Sequence, residues 1–193
     1  VDNVHANPFN RFPRFSVMPH GLNLIEEPAA PFVSVGGDTY GARGFTPGSY
    51  EIFASIMPEP ADPVEIGSLS VKVLNEDVHA GTLAIRPGVD VRGRMSVEES
   101  LKDDVKFTNV GIRLLPLDHT PRMYAPRAQS IASNGEFIFR SVPKGKFEVV
   151  VTGLPSGLHM SAAKYAGRDV LEEGMRVDGD PPGPLEIVLT RRP

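Results

Sequence analysis

The stretch from Gly135 to Gly153, GEFIFRSVPKGKFEVVVTG, constrains the fold more than any other. Side chains alternate across a β-strand with period two. Phe137 and Phe139 therefore share one face of a strand, and Ile138 takes the other. In KFEVVVT, Phe147, Val149 and Val151 share a face opposed by Glu148, Val150 and Thr152. Between the two runs lies Val142-Pro143-Lys144-Gly145. Proline presets φ at the second position of a turn, and glycine suits the fourth position of a type I turn. The pattern predicts a hairpin, with Pro143 and Gly145 as its structural turn residues.

A weaker copy runs from Gly37 to Ser55, GDTYGARGFTPGSYEIFAS. Aligning Gly48 with Gly145 pairs Tyr50 with Phe147, Ile52 with Val149 and Ala54 with Val151. Here Pro47 and Gly48 suit a type II turn, in which the glycine takes the positive φ. Further likeness sets SLSVKVLNEDV beside HMSAAKYAGRDV, with LAI at 83–85 and LEIVLT at 185–190 as the closing strands. Two tandem units follow, 1–87 and 88–193, cut at the stiff Arg86-Pro87-Gly88 segment.

Pro and Gly number 19 each among 193 residues. Together with many short alternating runs, this predicts an all-β chain of two Greek-key sandwiches, with about seven strands each. Leu69, Val71 and Val73 face inward in one run, Val89 and Val91 in another, and Leu185, Ile187 and Leu189 in the last. Strands are expected at 31–36, 79–85, 110–117 and 158–165. Ser96-Val-Glu-Glu99 resembles a capping box, so a short helix is expected at 96–104. The first unit has no clear counterpart of VDVRGRM, so its first strand falls to the irregular arm 1–30 or lies outside the chain. In that arm Phe9, Phe12 and Phe15 recur every three residues among prolines, a spacing that polyproline II would place on one side. The arm reads as an edge strand packing on its own domain, or as an aromatic arm docking on a neighbour. The chain starts at Val1 without methionine and reads as a fragment or processed form.

The formal charge is −4, and the arginines are scattered, which leaves no footprint for nucleic acid. No apolar run approaches the ~20 residues of a membrane helix. Cysteine is absent, which excludes disulfides, thiolate metal sites and cysteine nucleophiles. The five histidines, His5, His20, His79, His119 and His159, are never spaced as metal pairs and read as lone surface or loop residues. Asp178-Gly-Asp180 and Glu76-Asp77 are too short for a calcium loop and read as turns. Glu98, Glu99, Asp103 and Asp104 read as a solvated acidic run. No nucleophile elbow is present. No catalytic residue, metal site or cofactor is therefore expected.

The run Gly135-Glu-Phe-Ile-Phe-Arg-Ser-Val-Pro-Lys-Gly-Lys-Phe-Glu-Val149, with VDVRGRM before it and LEIVLT after it, resembles the carboxypeptidase regulatory-like domain. The match is good over 88–190 and weaker over 31–87. The resemblance implies a prealbumin-like (transthyretin-like) β-sandwich in a large exported bacterial protein that carries such domains in tandem, and hence an extracytoplasmic location. It implies a non-catalytic spacer or adhesion-type module whose partners are neighbouring repeats or another protein. No close-spaced metal pair of a zinc carboxypeptidase is present. The acid and asparagine of the Lys–Asn cross-link in related adhesin sandwiches are also missing. Starch-binding-like modules share the fold and stack sugars on aromatics, so weak carbohydrate binding is the alternative, with Tyr40 and Tyr124 as candidates.

Overall fold

The computed structural model describes residues 13–20, 32–56, 65–98, 107–118, 125, 126, 128, 130–179 and 183–191. The chain is all-β, and it divides into two compact units, Val1–Pro87 and Gly88–Pro193.

The second unit is a sandwich of two sheets. Its strands are β7 (Val89–Val97), β8 (Gly111–Pro116), β9 (Glu136–Val142), β10 (Gly145–Thr152), β11 (Leu158–Tyr165), β12 (Arg168–Asp169), β13 (Met175–Val177) and β14 (Leu185–Arg191). One sheet has the order β12-β11-β14-β7-β9, the other β13-β10-β8. The alternating residues fill the space between them: Val91 and Met95, Ile112 and Leu114, Phe137 and Phe139, Phe147 and Val149, and Leu185, Ile187 and Leu189 are all buried in one core. The first and last strands lie side by side in parallel, with Leu185 opposite Gly93 and Leu189 opposite Val97. Every other pairing among the described residues of the unit is antiparallel.

The expected hairpin at 135–153 is corrected. β9 pairs with β7, whereas β10 pairs with β8 and β13, so the two strands belong to different sheets. Pro143 and Lys144 carry the chain across the sandwich as an arch. The cause is the pattern itself. Phe139 and Phe147 are both fully buried, and each needs to face the core from its own sheet. A bulge prepares the crossing: Val89 pairs with Val142 but Val91 with Phe139, so Arg140 and Ser141 together oppose Asp90. Ser141 has φ of 50°, an uncommon state for a non-glycine residue. The extra residue reverses the alternation, so that Val142 faces the core as Phe139 does. Asp90 holds the bulge. Its Oδ1 accepts from the Ser141 N–H at 3.1 Å, and its Oδ2 accepts from the Arg140 guanidinium.

The expected helix at 96–104 is also corrected where it is described: Ser96 and Val97 continue β7, and the Glu98 N–H donates to the Leu189 carbonyl at 3.1 Å. The parallel ladder captures these residues before a helix can start. Residues 99–104 lie outside the described residues.

The first unit holds β1 (Arg14–Pro19), β4 (Gly48–Ile56), β5 (Glu65–Val73) and β6 (Arg86–Pro87) in one antiparallel sheet of that order's sequence β1-β4-β5-β6. A separate ribbon pairs β2 (Val33–Gly36) with β3 (Thr39–Gly41). Its core of Ala54, Ile56, Leu83 and Ile85 is small, with Phe15, Ile52 and Leu69 packed against it. The arm's Arg14–Pro19 is an edge strand on β4, not polyproline II, because its backbone pairs along Ser55–Tyr50. Phe9 and Phe12 lie outside the described residues. The strand expected at 79–85 is irregular up to Ala84, since Gly81 has φ of 90° and breaks the extended chain. Leu83 and Ile85 still bury, and Gly67 makes room for them: a Cβ there would lie 2.1 Å from the Ala84 carbonyl oxygen. Gly48 is the first residue of β4 and has no positive φ, which corrects the type II turn. The suggested match of 68–78 to 159–170 fails in topology. β5 returns beside β4, whereas β11 crosses to the sheet that β10 does not occupy.

Gly93 allows a close approach in the interior of the larger sheet. A Cβ there would lie 2.2 Å from Phe137 Cζ and 2.6 Å from the Leu185 carbonyl oxygen. Gly93→Ala is expected to destabilise the second unit by about 1–3 kcal/mol, the range for overpacking a filled core. Urea unfolding of the full chain measures it.

Candidate functional site

The second unit presents a cleft of about 600 Å³ on the outer face of its five-stranded sheet, lined by Arg92, Arg94, Glu136, Ile138, Arg140 and Glu186, among others. Strand register sets its charges. Lys164 stands opposite Glu186, Glu186 opposite Arg94, and Arg94 opposite Glu136, so one row alternates in sign across four strands. Arg140 is held by Asp90. Opposite charges facing each other across strands stabilise a solvated sheet face modestly. The row balances its own charge, and Arg92, opposite Ile138, lines the cleft beside it.

The first unit brings together three side chains that are distant in sequence. Ser70 Oγ donates to Glu51 Oε2 at 2.5 Å, and His20 Nε2 lies 3.6 Å from the same oxygen. They meet because Met18 pairs with Glu51 and Glu51 with Ser70 across three adjacent strands. In a hydrolytic triad the imidazole sits between the hydroxyl and the acid and takes the hydroxyl proton. Here the carboxylate is central, and the imidazole does not separate it from the serine. The cluster ties β4 to its neighbours on an exposed face. Only the strand register reveals it, which is why reading the histidines singly missed it.

The aromatic candidates fare differently. Tyr40 lies in β3, half-buried, with its ring 4.9 Å from that of Phe15, which in turn stacks on Phe32 at 4.4 Å. Its ring is thus part of the packing that seats the ribbon on β1. Tyr124 lies outside the described residues. Tyr50, matched to Phe147 by the repeat, sits edge-on to Phe45 at 5.2 Å. Its hydroxyl donates to the Thr46 carbonyl at 2.8 Å, closing the chain around Pro47 and Gly48. Pro143 lies in the arch, and Gly145 opens β10.

His79 is exposed, and His159 is half-buried in β11 with a buried Nδ1 that has no partner. His5 and His119 lie outside the described residues. Asp178 pairs with Arg176, and Asp180 is not described. Among the described residues no group of three or more His, Asp or Glu side chains gathers as metal ligands. No helix among them is long and apolar enough to cross a membrane.

No family model matches the chain, and no curated protein matches it. Among solved structures, the major pilin protein T-13 of Streptococcus pyogenes is similar with a TM-score of 0.32 and 8% identity, over 98% of this chain and 94% of that one. The fold assignment rests on the chain's own sheets.

One buried group stands apart. Tyr165 is 4% exposed, and its hydroxyl has no hydrogen-bond partner. Burial pushes its phenol above the ordinary value of 10.0. The folded state therefore favours the neutral phenol, a contribution intact below pH ~10 and lost as pH rises beyond it. Tyr165→Phe removes an unsatisfied buried group and is expected to raise stability by about 1 kcal/mol at neutral pH. It is also expected to lessen the fall in stability above pH ~10. Urea unfolding at both pH values measures the two effects.

Proposed function

We propose that the chain is a non-catalytic structural and interaction module of an exported bacterial protein. Its two units are read as tandem prealbumin-like sandwiches of the carboxypeptidase regulatory-like class, the first of them incomplete. One observation carries this reading: four acidic or amide side chains of the second unit accept from its own backbone. Asp90 accepts from the Ser141 N–H, Asp118 from Lys146, Asn134 from Glu136 and Asp169 from Leu171, at 2.8–3.1 Å. Acids used this way fix loops and bulges. The motif shared with the regulatory-like domain supports the same reading, since Phe137, Phe139, Val142, Phe147 and Val149 are all core residues. Partners are then neighbouring repeats of the same polypeptide or another protein, and the location is extracytoplasmic.

Carbohydrate binding is the rival class. Tyr40, one of its two candidates, has its ring engaged with Phe15. A glycan array with the wild-type chain, Tyr40→Ala and Tyr124→Ala separates the two readings. The structural reading expects no glycan to be retained, and expects Tyr40→Ala to cost about 0.5–1.5 kcal/mol through the lost ring contact. A glycan bound by the wild type and released by either substitution would replace it.

A further inference from the structure

The parallel pairing of β7 with β14 has a mechanical consequence. Tension along the polypeptide reaches the second unit at Val89, where β7 begins, and leaves it at Arg191, where β14 ends. Because the strands run in parallel, these two points lie at opposite ends of the ladder that joins Gly93–Val97 to Leu185–Leu189. Pulling them apart slides one strand along the other. The rungs share the load and must yield together, whereas a ladder pulled open from one end loses them singly.

The ladder is placed to resist such sliding. It occupies the interior of the five-stranded sheet, with β9 on the far side of β7 and β11 on the far side of β14. The Glu98 N–H bond to the Leu189 carbonyl extends it by one rung, and Ser96 Oγ lies 3.4 Å from the Ile187 carbonyl across the same seam. Below it, Met95, Leu185, Ile187 and Leu189 are fully buried. The first unit has the opposite geometry. Arg14, Ser55, Ile66 and Arg86 form one row across its sheet, so tension enters and leaves at the same end, on the two outer strands. That arrangement peels β1 and β6 from the edges.

We infer that the second unit is a load-bearing element, with the β7–β14 ladder as a shear clamp, and that the first unit yields before it. This inference rests on the structural-module reading and adds tension as the task that the module meets.

Single-molecule pulling in two directions tests it. The chain has no cysteine, so one introduced cysteine gives a unique handle. The full chain is first pulled through its two ends. It is then pulled through its N-terminus and Lys144→Cys, an exposed arch residue two positions beyond Val142, which pairs with Val89. The second geometry opens β7 from its start. The clamp requires the second unit to unfold at a force at least roughly twofold higher in the end-to-end pull, since forced unfolding reports the barrier along the direction pulled. The first unit is loaded alike in both pulls and serves as the internal control, yielding at the lower force end-to-end. Glu98→Pro removes one rung at an exposed position and should lower the end-to-end force while leaving the arch pull unchanged; Glu98→Ala, which keeps the N–H, should leave both. Equal forces in the two directions, or a second unit that yields before the first end-to-end, would overturn the clamp. Either result leaves the structural reading to its own glycan test.

Discussion

The second unit depends on the contact between its first and last strands. β7 and β14 meet in parallel in the interior of the larger sheet, and a Cβ at Gly93 would run into both Phe137 and the Leu185 carbonyl. Parallel neighbours need a long crossover between them. Here that crossover is the whole remainder of the unit. The larger sheet is therefore complete only when the end of the chain has returned, and the core beneath Met95 and Ile187 closes with it. Such non-local pairing delays the reward for ordering the chain, which makes folding slow for the unit's size. It also explains why one methyl group at Gly93 is costly while many outward positions are not.

Much of this architecture was legible in the sequence, and the illegible part has physical causes. Period-two alternation identified the buried faces: Phe137, Phe139, Phe147, Val149, Leu185, Ile187 and Leu189 all reach the core. Alternation says which way a side chain points but not which sheet its strand joins. The run at 135–153 therefore reads as a hairpin and folds as an arch. The bulge at Arg140–Ser141 needs Asp90, a residue fifty positions earlier, to hold it. The turn at Ala166-Gly167 is equally silent. Both residues have positive φ, the state of a two-residue hairpin turn, yet alanine replaces the usual asparagine or glycine. The Ala166 N–H donates to the Pro184 carbonyl at 3.1 Å, a non-local bond that accompanies this conformation.

The candidate sites were less legible than the core. His20, Glu51 and Ser70 converge only through the register of three strands. Tyr40 was identifiable as an aromatic in a loop-like stretch, but its engagement with Phe15 depends on where the ribbon folds back. The outer face of the larger sheet carries alternating charges that keep it solvated, while the edge at β8 is covered by chain: the Leu114 N–H donates to the Pro126 carbonyl and the Ala128 N–H to that of Ile112, both at 3.0 Å. A covered strand edge and a charged outer face both oppose edge-to-edge aggregation.

Native-state hydrogen exchange tests the central claim most directly, because it ranks the opening of each backbone amide within the intact protein. If the β7–β14 pairing closes the second unit, the amides of Ile187 and Leu189 exchange only with its global unfolding, and Gly93→Ala accelerates them in step with the loss of stability. If those amides exchange through an opening of lower free energy than the amides of Phe147 and Val149 in β10, the pairing is an appendage to the sandwich and the account is wrong.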